Sequence, residues 1–141
     1  MTTSTASPAR PPMPQPAIDL WNKPFWDACS ENRLIVQRCR NTGKTWYPPS
    51  PRSPHDIHSG WDWTECSGRG TVQSWVVFHQ KYFLGFSDRM PYNVAMVLLD
   101  EGFVLVSNID APNDSIRIGQ RVAVKFEQRG AVKVPIFSPV D

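Results

Sequence analysis

The sequence has few cysteines, no long apolar run and no marked excess of charge, and each shortage excludes something. No stretch approaches the ~20 apolar residues needed to cross a bilayer. The first 17 residues lack the apolar segment of a secretory leader. Three cysteines, Cys29, Cys39 and Cys66, are an odd number at spacings that make no disulfide framework. A reducing, cytoplasmic setting is the expectation. Lysine and arginine total 15 against 13 acids, for a formal charge of +2, too even for a chain that neutralises many phosphates. Neither a membrane nor a nucleic-acid partner is expected. Acidic residues are scattered rather than paired, and no cysteine or histidine sits in a legible nucleophile arrangement. Gly68-Arg69-Gly70 is a glycine-flanked turn, short of a phosphate loop. No catalytic residue is assigned.

What is present is enough for one folded unit. The chain has 141 residues, 40% of them apolar, with 14 prolines and 8 glycines that argue for strands and turns over long helices. Residues 1–17, rich in Pro, Ser and Thr, read as a disordered tail. Residues 18–66 read as a helix plus a small hairpin, and residues 67–141 as a β-domain. Leu20, Trp21, Phe25, Trp26 and Cys29 recur at helical spacing, which predicts a helix over 23–32 entered through Asn22 as cap and Pro24 in the first turn. Residues 33–39 and 45–47 read as a hairpin around Asn41-Thr42-Gly43-Lys44. Residues 48–60 form a proline-punctuated loop.

Five strands are then expected, over residues 70–80, 92–99, 103–108, 121–126 and 132–137. Five strands with glycine-bearing corners suit a small Greek-key barrel of the OB type. Alternation along the first strand places Val72, Ser74, Val76 and Phe78 on one face and Trp75 and Val77 on the other. The second strand, Tyr92–Leu99, is nearly continuous in apolar residues, as for a strand covered on both sides.

Two segments carry more apolar surface than a domain this size needs. Trp21, Phe25 and Trp26 crowd one short helix. Tyr82, Phe83, Leu84 and Phe86 lie in a connection between strands, where side chains should meet solvent. These seven residues are the candidate partner-docking set. Arg38, Arg40, Lys44, Arg69 and Lys81 are cations outside any phosphate-binding motif. Trp75, Phe78 and Tyr82 near Arg69 and Lys81 also fit the alternative of a single-stranded nucleic-acid binder.

Phe25-Trp26-Asp27, residues 33–39, Trp46-Tyr47-Pro48-Pro49, residues 67–72, Met90-Pro91-Tyr92 and Asp100-Glu101-Gly102, taken in order, resemble a known family. It is the acyl-CoA-associated zinc-ribbon/OB-fold family, catalogued as domain-of-unknown-function family thirty-five. The resemblance runs from Ile18 to Pro139. It implies a mainly β fold: a short N-terminal helix, a rubredoxin-like zinc-ribbon hairpin and a five-stranded OB barrel. The family's four ribbon cysteines fall, by position, on Cys39, Thr42, Ser53 and Asp56, so three of the four are replaced here. The ribbon is accordingly expected without zinc, its stability supplied by Trp46, Tyr47, Trp61 and Trp63. A substitute site from Cys39, His55, Asp56 and His58 is the chemical alternative. The resemblance further implies a non-catalytic accessory subunit of a thiolase-fold or MaoC-like enzyme. In that role it helps bind or channel an acyl-CoA ester for C–C bond formation or cleavage, with Arg38, Arg40, Lys44, Arg69 and Lys81 as the candidate cations for the phosphates of coenzyme A, and holds no cofactor of its own. A stand-alone small acyl-CoA enzyme is the third reading.

Overall fold

The computed structural model describes residues 12–140. The expected tail over 1–17 therefore lies, for residues 1–11, outside the described residues. Helix α1, Lys23–Ser30, has Pro24 in its first turn, where the missing N–H costs no intrahelical bond. Asn22 does not cap it with its side chain. Its Oδ1 instead accepts the Asp19 N–H at 2.8 Å, while Asp19 Oδ1 accepts the N–H groups of Trp21 and Asn22. The helix stops earlier than the aromatic spacing predicts because Asn32 adopts φ 61°, a left-handed exit that returns the Arg33 N–H to Ala28 O.

Strands β1 (Ile35–Cys39), β2 (Thr45–Trp46) and β3 (Trp61–Glu65) make an antiparallel ribbon sheet in the order β2-β1-β3. Strand β3 was not expected from the sequence, because its two tryptophans follow a proline-rich loop. Those tryptophans pack edge-on, Trp46 to Trp61 at 6.2 Å and Trp61 to Trp63 at 5.6 Å between ring centres. Gln37, 1% exposed, exchanges two hydrogen bonds with the Ser50 backbone and so pins the proline loop to β1.

Strands β4 (Arg69–Phe78), β5 (Tyr92–Leu99), β6 (Val104–Ser107), β7 (Arg121–Arg129) and β8 (Val132–Pro139) form the second sheet, in the order β6-β5-β4-β7-β8. The chain after β6 meets β8 through a parallel bridge between Ile109 and Phe137, which nearly closes an OB-type barrel. Asn93, 5% exposed, holds that closure. Its carboxamide donates to Ile109 O and accepts the Ile109 N–H.

One apolar cluster joins the parts: Phe25 and Cys29 from α1 and Leu34 and Val36 at the ribbon base pack with Val72, Val97, Leu105, Val122 and Phe137 of the barrel. Among the described residues no helix is long and apolar enough to cross a membrane.

Two face assignments from the sequence are corrected. A bulge between Val72 and Ser74 adds a residue to β4 against β5. Val72 is thereby buried, while Ser74 and Val76 turn outward and Trp75 packs on the core. Strand β5 is covered on one side only. Asn93, Ala95, Val97 and Leu99 are buried, but Met96 and Leu98 face outward and are exposed.

Candidate functional site

The outer face of β4-β5-β6 is aliphatic across three strands. Registry sets Val76 beside Val94, Ser74 beside Met96 beside Val106, and Leu98 beside Val104. Exposure reaches 54% at Val76, 43% at Met96 and 64% at Val106, with Leu98 at 37%. A sheet face solvated on one side would ordinarily carry polar residues at these positions. The six branched or thioether side chains are therefore a contiguous apolar surface, four of them left exposed by the described residues. The sequence held the signal for it, in the unbroken apolar run of β5. What hid it was the expectation that the run was covered from within.

The loop between β4 and β5 divides in two. Tyr82, Phe83 and Leu84 are exposed. Phe86, in the 3-10 turn Leu84–Arg89, is buried, stacked 4.5 Å from the Tyr92 ring with the Arg129 guanidinium 5.6 Å from its centre. Of the helix residues, Trp21 is exposed, Trp26 is half-buried against the core and Phe25 is 1% exposed. Phe25 and Phe86 thus hold the fold and present no surface. Trp21, Tyr82, Phe83 and Leu84 present theirs to solvent.

The five candidate cations do not converge. Arg38, Arg40 and Lys44 sit on the ribbon, where Arg40 is tied to Asp62 by two hydrogen bonds and Arg38 donates to Gly43 O. Arg69 opens β4, and Lys81 lies beyond its far end. Phe78 is nine positions beyond Arg69 along β4, about 30 Å, so Arg69 and Lys81 cannot grip one phosphate. Nor do the rings of the nucleic-acid reading form one platform. Trp75 packs inward while Phe78 lies against Tyr82 and Tyr92.

The tips of the ribbon hold the positions where the resembled family has cysteines. At the first, Cys39 is fully buried and Gly43, with φ 71°, supplies the left-handed residue that the tight turn requires. At the second, Ser53 is also fully buried, and its Oγ accepts the N–H groups of His55 at 3.1 Å and Asp56 at 3.3 Å. Both lone pairs of that oxygen are taken by these two backbone donors. Hydrogen bonds from Ser53, then Thr42, pull the Cys39 thiol down to about 6, overcoming the opposing effect of burial. Burial pushes Cys29 and Cys66 the other way, to about 12.

This donor set does not fit zinc. Hydroxyls are poor ligands for a structural ion. The fourth position, Asp56, turns its carboxylate to the Asn41 side chain at 2.9 Å and the His58 N–H at 3.0 Å. The substitute site does not assemble either: His55 Nε2 lies 3.0 Å from Thr45 O. Among the described residues no three of His, Cys, Asp and Glu come together to hold a metal.

Comparison with known proteins agrees with this architecture. Residues 26–55 match the family described as "ChsH2, rubredoxin-like zinc ribbon domain", and residues 63–127 match "ChsH2, C-terminal OB-fold domain". The chain is 37% identical over 128 residues to a probable enoyl-CoA hydratase alpha subunit of Thermomonospora curvata, a match covering 89% of this chain but 40% of that subunit. It is 32% identical over 97 residues to a DUF35 domain-containing scaffold protein of Methanothermobacter thermautotrophicus, covering 67% of this chain and 72% of that protein. Among solved structures, a chain of the Ltp2-ChsH2(DUF35) aldolase superposes with a TM-score of 0.79 at 35% identity, covering 89% of this chain and 98% of that one.

Proposed function

This chain belongs to the DUF35 family of ChsH2-type zinc-ribbon/OB-fold proteins, and on that premise we propose that it is a non-catalytic subunit that assembles with an acyl-CoA-processing enzyme of thiolase or MaoC type. The observation that carries the reading is the uncovered aliphatic face of β4-β5-β6, joined in the same chain by exposed Tyr82, Phe83 and Leu84. A contiguous exposed apolar surface of this kind marks a site where another polypeptide docks. Relatives named as an enoyl-CoA hydratase alpha subunit and as an aldolase chain support a partner of the acyl-CoA-processing class. The CoA ester is then substrate of the assembly, and the reaction is C–C bond formation or cleavage of the aldolase or thiolase kind.

The ribbon does this work without zinc. Its rim carries Arg38 and Lys44, cations available to the phosphates of a CoA ester held mainly by the partner. The thiols of Cys29 and Cys66, pushed up to about 12, are protonated at neutral pH and serve packing.

Co-expression with its genomic neighbours, followed by affinity capture and size-exclusion chromatography, tests the reading. A thiolase- or hydratase-like protein should co-purify with the wild type and be lost with Met96→Asp/Val106→Asp, whose circular dichroism stays unchanged. Turnover of acyl-CoA by the chain alone would falsify the accessory role. So would a complex indifferent to both substitutions and to Tyr82→Asp.

A further inference from the structure

Residues 12–19 carry neither helix nor strand, yet they lie along the barrel. Met13 and Pro16 are half-buried, while Pro12, Pro14, Gln15 and Ala17 are exposed. A spacing of three is the period of an extended polyproline helix, which turns every third side chain to the same side. The segment is held at both ends. Near α1, Asn22 Nδ2 donates to Ala17 O at 3.0 Å, which gives that side chain a task in place of the helix cap. At the other end, Pro12 and Met13 cross Gly85 in the Leu84–Arg89 turn. Gly85 has no positive φ that would demand glycine. The segment itself forbids a side chain there: an added Cβ would stand 2.5 Å from Pro12 O and 2.7 Å from Met13 Cα. Between these ends, Pro14 and Pro16 border the same cavity as Val106 of β6 and Pro135 of β8. That is the seam where Ser107 Oγ donates to Pro135 O at 2.7 Å. Proline offers no N–H, so such a segment can lie over two strand edges without adding a strand to either.

We propose that residues 12–17 are a strap that braces the partner-docking loop against the barrel and joins it to the aliphatic face as one surface. Phe86 and Arg89 already pin the later part of the loop to β7, through Arg129 and Glu127. The strap pins the earlier part at Gly85, beside exposed Leu84. Leu84 borders a cavity with Pro12 and Met13 at one end of the strap, and Val106 of the aliphatic face borders another with Pro14 and Pro16. A loop fixed before the encounter loses less conformational entropy when the partner docks. The proposal rests on the reading of this loop as a docking element, but the brace itself is measured on the free chain.

Amide hydrogen exchange across residues 82–90 of the full chain, read by mass spectrometry, tests the brace. Met13→Asp/Pro16→Asp alters no residue of the loop or the barrel. It should speed exchange across that loop about tenfold while the thermal midpoint stays within about 2 °C. Gly85→Ala should speed it as well, because the methyl group unseats the strap. With no strap in place, the same alanine would restrict the loop and slow its opening. Loop exchange left unchanged by Met13→Asp/Pro16→Asp, or slowed by Gly85→Ala, overturns the proposal. Capture of the co-expressed partner by Met13→Asp/Pro16→Asp should fall about fivefold or more. A loosened loop with capture at the wild-type level removes the strap from the interface and overturns the proposal too. A wild-type chain that captures no partner overturns the docking reading instead, and the exchange result still decides the brace.

Discussion

Gln37 and Asn93 are carboxamides in places where a polar side chain should cost stability, and each is retained because it stands in for backbone. Gln37 completes the hydrogen bonds of Ser50, and Asn93 those of Ile109. Replacing either by leucine leaves a buried N–H and C=O unpaired. We expect each to cost about 1–3 kcal/mol in denaturant unfolding, with Asn93→Leu also loosening the barrel seam. Cys39 predicts a pH dependence. Its thiol lies at about 6 when folded, against 9.0 as its ordinary value, so between those values the unfolded chain binds the extra proton. Stability should therefore rise with pH across that window, be complete above about 9 and be lost as pH falls through about 6. Urea midpoints measured along the series check this, and Cys39→Ser should flatten it. None of these three roles was legible in the sequence. A lone Gln, Asn or Cys carries no local pattern, since the partner that defines it is 13 to 16 residues away in the chain.

Strands and their connections were easier to read than the faces they present. All five barrel strands follow from β-branched runs broken by glycine and proline, because alternation and turn chemistry are local. The bulge at Val72 and Ser74 is not local. It arises where β4 bends to pair with β7 at its start and β5 along its length, and it inverts the predicted faces beyond it. Gly70, ahead of the bulge, is paired to both Leu99 of β5 and Val122 of β7, and an added Cβ there would meet Leu98 O at 2.7 Å and Val97 Cγ1 at 2.8 Å. Gly70→Ala should destabilise by about 1–3 kcal/mol, read as a lower denaturant midpoint with an unchanged slope. The loop ahead of β5 separates two roles by burial. Phe86→Ala should cost about 3 kcal/mol through a cavity beside Tyr92 and Arg129. Leu84→Asp should leave stability within about 0.5 kcal/mol and weaken capture of the partner.

At the scale of the whole molecule, α1, the ribbon base and the barrel share one apolar cluster, so they should unfold together. Tryptophan fluorescence, to which the ribbon contributes Trp46, Trp61 and Trp63 of the six tryptophans, and far-ultraviolet circular dichroism, dominated by the barrel, should give coincident transitions. Two separated midpoints would show the ribbon folding on its own. The sequence by itself determined the β class and the order of the helix, the first hairpin and the five barrel strands, because these depend on composition, periodicity and spacing along the chain; the family, and the replacement of its ribbon cysteines, were legible through the resemblance of ordered motifs. Only the tertiary structure decided that β5 shows one face to solvent, that Phe25 and Phe86 are buried while Tyr82, Phe83 and Leu84 are not, and that two serine- and cysteine-bearing turns meet. Burial and hydrogen-bond partnership are properties of surfaces brought together from distant segments, and a bulge of one residue is enough to exchange inside for outside.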